Sequence, residues 1–196
     1  MTSSRQQYIE RYAEYAMEQM RRYGIPASIT LAQGIIESAD GKSILANTAN
    51  NHFGVKGTYN GNYVLADDDK PNEKFKKYDN VGQSYEDHSR VLMAQRYQQY
   101  VRNLSPDDYK GWAAGIKKGG YASASNYVST VVNVIEGAKL QRFDKMVIQQ
   151  MNAEGKQFGV QSNPLSNNEG VKAKATGMNL PQSSYSMPVQ RREFML

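Results

Sequence analysis

The sequence predicts an α+β domain that is mostly helical, with one small β-hairpin and an irregular C-terminal tail. Three observations predict it. Apolar residues recur at three- and four-residue spacing in several stretches before residue 142. Two short runs of strand-forming residues flank one acidic turn. The composition then changes after about residue 145.

The elements follow in order. Over 5–23, Tyr8, Ile9, Tyr12, Ala13, Ala16, Met20 and Tyr23 fall on one helical face, Ser3 or Ser4 suits the start, and Gly24 suits the end. Pro26 fits the first turn of a second helix over 26–38, with Ile29, Ala32, Ile35 and Ile36 inward. Gln33 and Glu37 lie four apart on a polar stripe beside Thr30 and Gly34. "ANTANNHFGVKGTYNGNY" is rich in Asn and Gly and reads as loop. Strands over about 62–66 and 73–78 surround "DDDKPN". Ser84 with Asp87 makes a capping box for a third helix over 85–102. Ser105, Pro106 and Asp108 open a fourth that "KKGG" closes, and Ser125 caps a fifth over 126–141. Residues 1–144 thus read as one domain. Residues 145–196, rich in Ser, Asn, Gln, Gly and Pro, read as an extended or disordered tail and a candidate docking segment.

Bulk properties exclude several classes. The 196 residues suffice for a sizeable core, and 39% hydrophobic against 22% charged residues suits a globular fold. No apolar run approaches the ~20 residues of a membrane span. "MTSSRQQYIERYAEY" has no apolar segment of the kind a signal peptide needs, so no Sec-type leader is expected. The absence of cysteine removes disulfides, thiolate nucleophiles and Cys-zinc sites. The two histidines, His52 and His88, are too few for a His-rich metal site, so neither metal nor cofactor is expected. The net charge is +5, of which +3 falls after residue 144, so the folded part is close to neutral and nucleic acid is not expected as a partner. No GxSxG, P-loop, strand-linked GxGxxG or HExxH occurs.

One position stands out. In "LAQGIIESADGKS" a carboxylate, Glu37, closes an otherwise apolar helix where it breaks into a Gly-containing loop. A carboxylate there opposes the helix C-terminal dipole. It suits a partly desolvated acid, because burial favours the protonated form.

Four segments carry a resemblance: "LAQGIIESADGKS", "NNHFGVKG", "FKKYDNVGQSYEDHSRVL" and "GGYASASNYVSTVVNVIE", in that order over about residues 8–142. Together they resemble the glucosaminidase family of peptidoglycan hydrolases, which includes the flagellar muramidase-like domain and many autolysins. The resemblance implies a lysozyme-like fold of two lobes, a helical one and a small β-lobe, with a sugar-binding groove between them. It implies hydrolysis of the β-1,4 bond after N-acetylglucosamine, with Glu37 as the general acid that protonates the leaving oxygen.

The remaining roles also come from the resemblance. The family typically places a second Glu on the β-lobe. Here the turn offers Asp67, Asp68 and Asp69; Asp69 falls at the matching distance from Asn60–Gly61, with Asp68 beside it. The substrate's own acetamido group, or a merely solvated acidic turn, are the alternatives, and "DDDKPNE" lacks the spacing and Gly of a calcium loop. "NNHFGVKG" parallels the family's "NLFGIKG": Asn51 and Phe53 would build the groove floor, Gly54 would let the backbone approach closely, and His52 would be a hydrogen-bonding wall residue. Tyr121 matches a tyrosine near the cleaved bond that orients the acetamido group or a water. Tyr127 matches as well, although core packing is the better reading of it and the alternative for Tyr121, and Gln33 joins the substrate-binding set beside Glu37. Ala39–Asp40 stand where many relatives carry Gly–Trp, which removes an aromatic sugar platform. His88 and Trp112 read as core. Lytic transglycosylases share the "ES" opening, but the Gly-Leu-Met-Gln-like segment that follows it there is absent.

The partners implied are peptidoglycan strands and a protein carrier, a phage particle or secretion machine, engaged through 145–196. Action at the cell wall or periplasm would follow delivery by such a carrier or by lysis. The alternative is a catalytically weak or inactive lysozyme-fold component of a phage or secretion assembly, with a structural or glycan-binding role.

Overall fold

The computed structural model describes residues 3–158. Within them the chain runs α1 (Ser4–Tyr23), α2 (Ala27–Glu37), α3 (Ile44–Ala49), β1 (Tyr63–Ala66), β2 (Glu73–Lys76), α4 (Val81–Leu92), α5 (Gln95–Val101), α6 (Tyr109–Lys118), α7 (Tyr127–Gly137) and α8 (Gln141–Ala153). The expected class holds: a helical body with one two-stranded antiparallel sheet, Val64 paired with Phe75 and Leu65 with Lys74. No helix among the described residues is long and apolar enough to cross a membrane. The docking role expected of the tail falls mostly on residues 159–196, outside the described residues.

α1 starts as its sequence dictates. The Ser3 hydroxyl accepts from the Gln6 N–H at 3.2 Å, and Gly24 closes the helix at φ 71°, where a Cβ would be strained. α2 differs from the one-sided helix expected. Apart from Ile36 all its side chains are buried, because α1, α6, α7 and α8 surround it. The mean hydropathy of "ASITLAQGIIE" fits a helix inside a core rather than on its surface. Its Ile29, Leu31 and Ile35 share one core with Val131 and Ile135 of α7 and Val147 of α8.

The third expected helix is two helices. α4 begins four residues earlier than predicted, because Asn80 accepts from the Gln83 N–H at 3.0 Å while the Gln83 side chain accepts from the Asp79 N–H at 2.9 Å. Ser84 and Asp87 therefore lie inside the helix and form no capping box. Ala94 is extended, with ψ 142°, and separates α4 from α5; the Gln98 amide donates to the Leu92 carbonyl freed by the break, at 2.9 Å. The fifth helix likewise ends at Gly137, Lys139 turns left-handed at φ 53°, and α8 follows. Ser125 caps nothing, since Asn126 holds the N-cap position and no side chain caps α7. Short α3 lies just before and within the segment read as loop, capped by the Ser43 hydroxyl.

α8 crosses residue 145, so the compositional border at 144/145 is not a structural border. Val147 and Met151 are buried in the common core, and Asp144 is wholly buried. The Ser28 N–H and hydroxyl donate to the two Asp144 oxygens at 2.8 and 2.5 Å. Pro26 supplies no side-chain cap to α2, so Asp144 caps that helix from another element. Burial pushes the Asp144 carboxyl up to about 7, with the Ser28 hydrogen bonds pulling the other way. A raised carboxyl pKa means that the folded state resists ionisation. Asp144 therefore contributes most below its unfolded pKa of about 4, and that contribution fades as pH rises toward 7. Asp144→Asn keeps an acceptor for the Ser28 N–H but removes the titration. The wild-type melting temperature is expected to fall between pH 4 and 7 more steeply than that of Asp144→Asn; parallel curves would show that Asp144 does not titrate there.

Candidate active site

Glu37 is the last residue of α2 and is 7% exposed. The turn after it is rigid. The Ser38 hydroxyl donates to the Gly34 carbonyl at 2.6 Å and accepts from the Gly41 N–H at 2.7 Å. Ala39, Asp40 and Gly41 then take left-handed conformations in succession, at φ 51°, 55° and 80°. The first two carry a Cβ in this region, a strain of about 1–2 kcal/mol each. Arg5 helps to hold the turn by donating to Asp40 at 3.0 Å.

Against Glu37 stand two buried tyrosines with ring centroids 5.7 Å apart, Tyr121 and Tyr127. The Gln33 amide donates to the Tyr127 hydroxyl at 2.7 Å. Burial pushes both phenols well above the ordinary tyrosine value, and the nearby Glu37 charge adds to this in each, while the Gln33 bond opposes it in Tyr127. Both therefore remain protonated hydrogen-bond donors at neutral pH. Gln33, Glu37, Tyr121 and Tyr127 thus lie together in one cluster.

The loop after α3 backs this cluster. Phe53 stacks on His88 with centroids 3.9 Å apart, and His88 meets Tyr121 edge-on at 6.1 Å. His52 Nδ1 lies 2.8 Å from the Tyr8 hydroxyl, itself 2.9 Å from that of Tyr85. Gly34 faces this pair, and a Cβ there would lie 2.6 Å from the Tyr8 oxygen, so α2 requires glycine at that point. Burial pulls His52 down to about 4 and His88 to about 3, which keeps both neutral at neutral pH and unsuited to acid–base work.

Asn51 and Phe53, expected at the groove floor, and His52, expected in its wall, are buried to the same degree as Gln33, Tyr121 and Tyr127. Asn51 donates to the carbonyls of Val55 and Lys76 and accepts from the Val55 N–H, which ties the loop to β2. Gly54 takes φ 64°, a left-handed conformation that the sequence reading, which singles it out for close backbone approach, does not predict.

The acidic turn forms a second cluster. Asp67 is used locally, accepting from the Asn72 N–H at 2.8 Å. Asp68 and Asp69 reach the Lys56 ammonium at 3.1 and 3.3 Å, and Glu73 reaches it at 2.9 Å. The three carboxylates lie within 4.8 Å of one another. Burial pulls the Lys56 ammonium down, but its hydrogen bonds to Glu73 and Asp68 outweigh this and leave its pKa above the ordinary lysine value. Lys56 thus supplies the counter-charge for the group. Glu73 escaped the sequence reading. Its signal was strand alternation, which places it on the same face of β2 as buried Phe75.

The description "Mannosyl-glycoprotein endo-beta-N-acetylglucosaminidase" belongs to the family profile that matches residues 13–140. The chain belongs to this glucosaminidase family. The glucosaminidase domain is 31% identical over 152 residues to the exo-glucosaminidase LytG of Bacillus subtilis, covering 72% of this chain and 54% of the relative. It is 29% identical over 164 residues to a probable N-acetylmuramidase of Lactococcus lactis, covering 73% of this chain and 36% of that protein. The chain therefore spans about half or less of the length of these relatives. The catalytic domain of the Listeria monocytogenes autolysin Auto superposes with a TM-score of 0.65 at 28% identity, covering 73% of this chain and 89% of that one. The glucosaminidase fold is accordingly the lysozyme-like one that the four sequence segments implied.

Proposed function

We propose that the chain hydrolyses peptidoglycan strands at the β-1,4 bond after N-acetylglucosamine, with Glu37 as general acid. The observation that carries this reading is a nearly buried carboxylate ending a core helix and facing two tyrosines. A charge in that position costs stability and has no packing role that an apolar residue would not fill better. Glu37 gives its proton to the leaving oxygen as the glycosidic bond breaks. Water then adds its hydroxyl to the anomeric carbon, and its second proton restores the acid. Tyr121 is assigned to orienting the acetamido group or the water. The oxocarbenium-like charge is assigned to the hairpin carboxylates, with Asp69 and Asp68 the candidates and Glu73 a third in the same cluster. Family membership and the name of the Bacillus relative support cleavage beside N-acetylglucosamine, and the cell wall is the proposed site of action. Delivery by a phage particle or secretion machine belongs to the expectation for 145–196.

Digestion of purified peptidoglycan with mass-spectrometric reading of the released ends tests the reading. Reducing N-acetylglucosamine ends are expected. Reducing muramic acid ends would move the cut to the neighbouring bond, in line with the name of the Lactococcus relative. Anhydro-muramic ends would make the reaction a transglycosylation. Binding without fragments would favour the structural role.

A further inference from the structure

Beside the turn that follows Glu37 lies a pocket of about 170 Å³ whose lining includes Tyr8, Arg11, Tyr12, Asp40, Gly41 and Lys42. Its walls come from the first turns of α1 and from the strained turn itself. Two cations, Arg11 and Lys42, line it, and neither forms an ion pair among the described residues. Its one carboxylate, Asp40, is engaged by Arg5. The Tyr8 ring packs against Gly41, and Tyr12 lies edge-on to His52 with centroids 4.8 Å apart, so the pocket shares its tyrosine wall with the residues that back the Glu37 cluster. A concave site with two uncommitted cations and an aromatic wall suits an anion borne on a larger ligand. The left-handed turn that follows Glu37 supplies Asp40 and Gly41 to the pocket wall, so the anion site adjoins the turn that ends α2.

We propose that this pocket binds a carboxylate of the short peptide carried by muramic acid, so that peptide-bearing strands are preferred over bare glycan. The proposal rests on the peptidoglycan reading above. In peptidoglycan the sugar bearing the peptide adjoins N-acetylglucosamine on both sides, so a strand lying across Glu37 brings a peptide to one flank of the site. Its free carboxylates are the anions such a strand supplies in fixed register with the sugars.

Binding by the Glu37→Gln protein tests this without turnover. Calorimetry would compare a disaccharide–tripeptide fragment of peptidoglycan with the same disaccharide stripped of its peptide. The peptide-bearing ligand is expected to bind about tenfold tighter. Adding Arg11→Gln and Lys42→Gln is expected to make the two ligands bind alike. Equal binding by the parent, or a preference that survives the double substitution, would overturn the proposal. Failure of the wild type to cut any glycan would instead overturn the hydrolase reading, because the binding comparison does not depend on cleavage.

Discussion

Glu37→Gln is expected to slow the release of reducing ends from peptidoglycan by about a hundred- to ten-thousand-fold, the usual contribution of a positioned acid. Glutamine keeps the length, planarity and one acceptor oxygen of glutamate, so the end of α2 has no packing reason to change. What it loses is the transferable proton. The neighbouring tyrosines do not replace it, because burial, which persists in the variant, holds Tyr121 and Tyr127 well above the ordinary tyrosine value, where a phenol donates a hydrogen bond but gives up its proton poorly. His52 and His88 do not replace it either, since burial keeps both deprotonated at the pH of the assay. The measurement is initial rate together with melting temperature. A variant that folds and turns over like the wild type would remove Glu37 from the chemistry, whereas a variant that unfolds would show the residue to be structural.

Lys76→Met is expected to give the largest loss of stability, about 3–5 kcal/mol, the cost of stranding one member of a buried ion pair. Lys76 is 5% exposed and Asp87 7%, and the ammonium donates to Asp87 Oδ2 at 2.8 Å. The Tyr78 hydroxyl donates to the same oxygen at 2.7 Å. These contacts fasten β2 and the segment after it to α4, and so hold the hairpin with Asp68, Asp69 and Glu73 against the helical body. The exposed pair of Lys110 and Glu136, at 2.9 Å, offers a contrast. Breaking it should change stability little, because water and salt screen an exposed pair. Chemical denaturation checks both. Lys76→Met combined with Asp87→Leu should recover much of the loss, because no charge is then left buried alone. A double variant as unstable as the single one would mean that packing, not charge, holds the hairpin.

Much of the site was legible in the sequence because it depends on local pattern. Glu37 is conspicuous as the only charge in an apolar helix. Gly24 marks the left-handed end of α1, and Gln33 follows from four-residue spacing. What escaped the reading depends on contacts distant in sequence. Nothing near Ala94 marks a helix break, since neither Gly nor Pro is there. The capping of α2 by Asp144 joins residues 116 positions apart. The polar stripe assigned to α2 failed for the same reason: Gln33 and Glu37 do share a face, but α7 covers it, and periodicity within one helix does not report what lies against it. Asn51 and Phe53 were recognisable as special residues, yet only the fold shows that they are buried.

The bond from α8 to the start of α2 bears on how such a chain can be cut and rejoined. The profile of the family ends at residue 140, just before α8 begins. A recombinant fragment trimmed there would discard the acceptor that satisfies Ser28, and would open the far end of the helix whose last residue is Glu37. Fusion partners therefore belong beyond α8 and Phe158, which also packs on the core, and the boundary is set by that hydrogen bond and this packing rather than by family likeness.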